Sequence, residues 1–71
     1  MKKYFSDFQI MCMQGRTWEY ANKIGISDDV VKAHSKELTK IINDNQKEGN
    51  ANMALCEELL CKKFDEIKKL L

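Results

Sequence analysis

Arg16, Lys23, Lys32 and Lys36 are interspersed with Thr17, Ser27, Asp28 and Ser35 within one short stretch of the chain. The chemistry open to such a set is recognition: cationic groups neutralise phosphate, and hydroxyl, ammonium and carboxylate groups read base edges. Lys32 and Lys36 are candidates for guanine acceptors or phosphate. Asp28 is a candidate for a cytosine amino group, with Ser27 and Ser35 on the same side. Arg16 and Lys23 are placed to hold the backbone, and the Thr17 region to offer helix N-terminal N–H groups. Asp28 and Asp29 oppose this reading, because near phosphate they repel unless one accepts a hydrogen bond or both serve as helix caps.

No catalytic set accompanies these residues. Asp28 with Asp29, Glu57 with Glu58, and Asp65 with Glu66 are sequence neighbours, so each pair diverges in azimuth on a helix and forms no two-carboxylate site. Cys12, Cys56 and Cys61 are odd in number and lack metal-type spacing, and His34 has no Ser or Cys in readable triad geometry. There is no glycine-rich phosphate loop. No enzymatic activity, metal or cofactor is expected.

The 71 residues make one domain (1–71) that buries about 60% of the surface its unfolded chain exposes, so the core must be thin. Apolar residues at 44% and charged residues at 32% exclude a disordered chain. With no proline and only three glycines, the composition is helical. The net charge is +1, so nucleic-acid binding would depend on where the 12 basic residues lie. Met1 to Ile26 holds four basic and two acidic residues and so carries the excess. No long apolar run is present, so no membrane partner is expected, and free thiols point to a reducing, cytoplasmic setting.

The expected fold is all-α, a small bundle of about four helices containing a helix-turn-helix. Tyr4, Phe5, Phe8, Met11 and Cys12 recur at three and four, predicting a first helix from Lys2 or Lys3 to about Met13, its aromatics filling the core and Gly15 capping its end. Thr17 is the expected N-cap of a second helix, Trp18 to Ile24, with Ala21 and Ile24 on one face. Gly25 ends it, and Ile26 tucks inward. Ser27 then caps a third helix reaching about Asn45, with Val30, Val31, Leu38, Ile41 and Ile42 inward and Asp28, Lys32, Ser35 and Lys36 outward. Residues 17–42 are thus the helix-turn-helix core.

After a polar interval ending in a Gly49 cap and an Asn50 N-cap, residues 51–71 restart the helical pattern. Met53, Cys56, Leu60, Phe64, Ile67 and Leu71 form its stripe, widened by Leu55, Leu59 and Leu70. A stripe that broad predicts a packing or dimerisation helix. Met53, Leu60, Phe64, Ile67 and Leu71 are the expected interface, with a second copy as the simplest partner.

Ala21, Ile24-Gly25-Ile26-Ser27, Val31-Lys32 and His34 together resemble the LuxR/GerE-type helix-turn-helix DNA-binding domain, over about Ala21 to Leu60. The resemblance implies that the helix carrying Val31, Lys32 and His34 reads the major groove, with Lys32 on base or phosphate, His34 supporting that helix, Val31 in the core, and the last helix mediating dimerisation. The leading expectation is a sequence-specific, duplex-DNA-binding transcription regulator. The alternative is a small helical protein-interaction module, an inhibitor or adaptor, using the apolar face of the C-terminal helix.

Overall fold

Ser6 and Gln9 start the first helix. The Ser6 hydroxyl accepts from Gln9 N–H at 3.1 Å and the Gln9 side chain accepts from Ser6 N–H at 2.9 Å, a reciprocal cap that satisfies two otherwise unpaired donors. In the computed structural model, which describes all 71 residues, helix α1 runs from there as one piece, Asp7–Lys23. The two helices expected on either side of Gly15 are therefore one. Gly15 lies inside it, and the isolated cost of a mid-helix glycine, about 1 kcal/mol, is outweighed by packing of Met13, Thr17 and Ala21, all buried. Thr17 is not an N-cap. It is 4% exposed, and its hydroxyl donates to Met13 O at 2.7 Å within the same helix.

The end of α1 follows expectation. Gly25 has φ +95°, its N–H bonds to Asn22 O at 3.0 Å, and Ile26 N–H bonds to Ala21 O at 2.9 Å. This double closure satisfies two terminal carbonyls and turns Ile26, 1% exposed, into the core. Ser27 then caps α2, Asp28–Ala33, its hydroxyl accepting from Val30 N–H. The long third helix does not continue to Asn45. At His34 the backbone leaves helical geometry, with ψ at 13°, and the ring Nδ1 sits 3.0 Å from Val30 O, so α3, Ser35–Asp44, starts as a separate helix. A single 3-10 turn at Lys47–Gly49 leads to α4, Met53–Leu70. Its N-cap is Asn52, which accepts from Leu55 N–H at 3.1 Å, and not Asn50. Asn50 instead pairs with Lys3 in an isolated parallel bridge.

Contacts between helices advance in register along the chain: Lys3 beside Asn50, Arg16 beside Glu57, Tyr20 beside Asp65. Helices α1 and α4 thus run parallel, and α2 and α3 carry the chain back between them. Glu37 meets Lys63 at 3.1 Å, and Ile42 joins Cys56 and Leu60, so α3 lies antiparallel to α4. The result is an all-α four-helix bundle, 41 by 19 by 18 Å. A rod this narrow holds its core as two clusters in series. Phe5, Met13, Ile42, Cys56 and Leu60 make one, Ala21, Ile26, Val31, Phe64 and Ile67 the other, and Leu38 packs on both.

This packing corrects two expectations about apolar faces. Leu60, Phe64 and Ile67 are 1–2% exposed, and Met53 is half-buried against the first cluster, so of the expected interface residues only Leu71 lies open. A thin domain has no other large side chains to close its centre, so it takes the stripe of α4 for itself. Conversely, Phe5 is core but Tyr4 and Phe8 are not, at 58% and 73% exposed. Starting the helix at Asp7 rather than Lys2 frees Phe5 from the helical repeat to enter the core, while Phe8 lies within the helix on the face opposite buried Met13 and Thr17.

Candidate nucleic-acid interface

The candidate residues separate into three groups. Arg16 is committed: its Nε and Nη2 donate to Glu57 Oε1 at 2.7 and 2.6 Å. Thr17 is buried within α1, so neither its side chain nor a helix start is available there. Lys23 is exposed in the last turn of α1, where an ammonium group complements the negative end of the helix dipole.

Around the turn, Asp28 Oδ1 accepts from Trp18 Nε1 at 2.6 Å and from Asn22 Nδ2 at 3.0 Å. Asn22 Nδ2 also donates to Ile26 O at 2.9 Å. The carboxylate therefore ties α1 to the start of α2 and is not free to read a base. The Trp18 hydrogen bond, then that from Asn22, hold its pKa below the usual carboxylate range. Because the folded pKa is depressed, this tether contributes stability above the unfolded pKa and loses it as pH falls through the folded one. Urea unfolding from about pH 6 to about pH 2 is expected to show a shallower acid-side loss in Asp28→Asn than in wild type. An identical slope would mean the tether is absent in solution.

The third group is exposed and extends further along the chain than the sequence indicates. Lys32 is exposed at the end of α2, and Ser35 and Lys36 open α3. On α3 they continue into Thr39, Lys40 and Asn43, which with Asp44 line one shallow polar groove of about 440 Å³. Thr39, Lys40 and Asn43 are not among the residues expected from the sequence. Their signal is the four-residue recurrence Lys32, Lys36, Lys40 beside Ser35, Thr39, Asn43, which an uninterrupted helix from Ser27 hides behind its first turns. Asp44 tempers the charge of the groove, accepting from Lys40 at 2.8 Å and lying 3.5 Å from Lys47. Lys32 and Lys36 have no such partner in the protein.

No three His, Cys, Asp or Glu side chains converge as a metal site. All three cysteines are free, and burial, followed by nearby carboxylates, pushes the Cys56 and Cys61 thiols up, away from the reactive thiolate. Tyr20 donates to Asp65 at 2.6 Å, and that bond raises the phenol pKa. No helix is long and apolar enough to cross a membrane. Neither a family model, nor a curated protein, nor a solved structure matches the chain.

Proposed function

We propose that the chain binds duplex DNA through the outer face of α2 and α3 and regulates transcription by occupancy, without chemistry of its own. The observation that carries this reading is the run of Ser35, Lys36, Thr39, Lys40 and Asn43 on one exposed helix face, where hydroxyl, amide and ammonium groups stand together without an apolar residue among them. Such groups contact phosphates and base edges. The reading element is α3 in preference to α2. Helix α2 has six residues, less than two turns, and its first carboxylate is held by Trp18; α3 has ten, about 15 Å of helix. The resemblance to the LuxR/GerE pattern places the reading helix at Val31, Lys32 and His34, on α2, so the choice of α3 rests on its length and its exposed polar face and departs from that pattern.

With Lys32, Lys36 and Lys40 on phosphate, the last by exchanging its exposed pair with Asp44, counterion release gives a log–log salt slope of about −2.7, or about a 40-fold loss of affinity between about 50 and 200 mM salt. The Lys32→Ala, Lys36→Ala double variant is expected to bring the slope to about −0.9. Fluorescence anisotropy on mixed duplex DNA reads both. Absence of binding at the lower salt, or binding indifferent to salt, would remove the proposal.

A second reading rests on Phe8 and Met11, 73% and 66% exposed and three apart on the outer face of α1. Two large apolar side chains one turn apart can seat against a partner helix. It moves protein interaction, including a homodimer, from α4 to α1. It is the better reading if the DNA titration is flat and sedimentation finds a concentration-dependent dimer that Phe8→Ser abolishes.

A further inference from the structure

Both α1 and α3 rest on α4, yet they hardly touch each other. The positions that face across the gap are small: Gly15 and Thr17 on α1, Ser35 and Thr39 on α3. A Cβ built on Gly15 would meet nothing within 4 Å, and the Thr17 hydroxyl is turned back onto its own helix. The gap is a cleft of about 550 Å³, within the range of small-molecule sites. Val31, Leu38, Ile42, Leu60 and Phe64 form its apolar floor, and Trp18, the only tryptophan, stands at one wall.

The rim is asymmetric. On the α2–α3 side lie the Ser35 and Thr39 hydroxyls and the Lys32 ammonium, which has no hydrogen-bond partner within the protein but feels the Asp28 carboxylate one turn earlier. On the α1 side the Asn22 amide is already engaged with Ile26 O and Asp28, and Glu19 adds a carboxylate. An apolar body would displace poorly held water from the floor, while an anionic head would find donors on the α3 side and repulsion on the other.

We propose that this cleft is a binding site for a small organic carboxylate with an aromatic or compact aliphatic body, its carboxylate toward Lys32 and its body over Leu38 and Trp18. The site shares Lys32, Ser35 and Thr39 with the DNA face but goes beyond that reading and stands without it, because its floor and its α1 wall lie apart from the outer face of α3.

The test is a titration of the full chain with 2-naphthoate, followed by amide chemical shifts and Trp18 fluorescence, neither of which depends on DNA. Saturable shifts at Gln14, Gly15, Trp18, Lys32, Ser35 and Thr39 are expected. Lys32→Met is expected to weaken naphthoate about three- to tenfold while leaving the neutral 2-naphthalenemethanol unchanged. Gly15→Leu, which fills the cleft with a good helix former, is expected to abolish both, with a dispersed amide spectrum showing that the fold persists. If Gly15→Leu fails to fold, Thr39→Leu fills the cleft from the opposite wall and reads the same loss. No saturable shift at millimolar naphthoate, shifts scattered outside the cleft, or equal binding by a folded filled variant would overturn the proposal.

Discussion

Phe64→Ala is expected to lower the unfolding free energy by about 3–5 kcal/mol. A domain of 71 residues has about 4–11 kcal/mol in total, so the change takes about a quarter or more of it. Phe64 is the largest fully buried side chain, 1% exposed, at the centre of the cluster that joins the end of α1, the start of α2 and α4. Its partners Ala21, Ile26, Val31 and Ile67 are short, and two of them lie in regular helices tied by the Tyr20–Asp65 bond, so little can move in to refill the space. Urea unfolding should show a lower midpoint at an unchanged slope. Leu70→Ala, on the same helix but at an 84% exposed position, is the comparison and should stay within about 0.5 kcal/mol of wild type. Equal effects at the two positions would contradict the burial assigned to α4.

The second large effect is expected at Gly49. This residue has φ +77°, and a Cβ there would lie 2.8 Å from the Lys2 backbone Cα, an atom that cannot step aside as a flexible side chain would. Gly49 also holds the N-terminal segment: its carbonyl accepts from Lys3 N–H at 2.7 Å, Lys3 O accepts from Ala51 N–H at 3.1 Å, and the Gln46 side chain accepts from Phe5 N–H at 3.0 Å. Gly49→Ala combines a left-handed backbone penalty of about 1–2 kcal/mol with loss of two backbone hydrogen bonds at about 1 kcal/mol each, so a loss of about 3–4 kcal/mol is expected. Hydrogen exchange locates it: protection should fall first at Lys3 and Ala51, and Phe5 should leave the core with them. A variant as stable and as protected as wild type would show that the segment is not strapped here.

Glu48, next to it, has φ +59° without being glycine. Its side chain is exposed and nothing in the structure requires it. This conformation belongs to the turn that delivers Gly49 to Lys3, an isolated bridge forty-odd positions apart in the chain that no local pattern announces.

Local chemistry made several features legible from residue type alone. All-helical character followed from composition, the α1–α2 turn from Gly25 and Ser27, and the cores of α2 to α4 from apolar spacing at Val31, Ile42, Cys56, Leu60, Phe64 and Ile67. Each depends on one residue and its immediate neighbours: a φ only glycine takes easily, a hydroxyl within reach of an N–H, a stripe of side chains on one face. The cap at Ser6 and Gln9 was equally local and was overlooked because the apolar repeat begins earlier, at Tyr4.

What residue type could not decide was what each face meets. Gly15 reads as a helix end until Met13, Thr17 and Ala21 are seen buried together, because burial on both sides outweighs the propensity of one residue. The stripe of α4 reads as a partner surface until Phe5, Met13, Ala21 and Ile42 arrive to cover it. Asp28 reads as a groove contact until Trp18, ten residues earlier, donates to it. The cleft between α1 and α3 exists only because small residues far apart in the chain are brought opposite one another. Hydrophobic pattern specifies that a face must be buried; the path of the chain, with α1 and α4 running parallel and α2–α3 returning between them, decides against what, and so which side chains remain to meet another molecule.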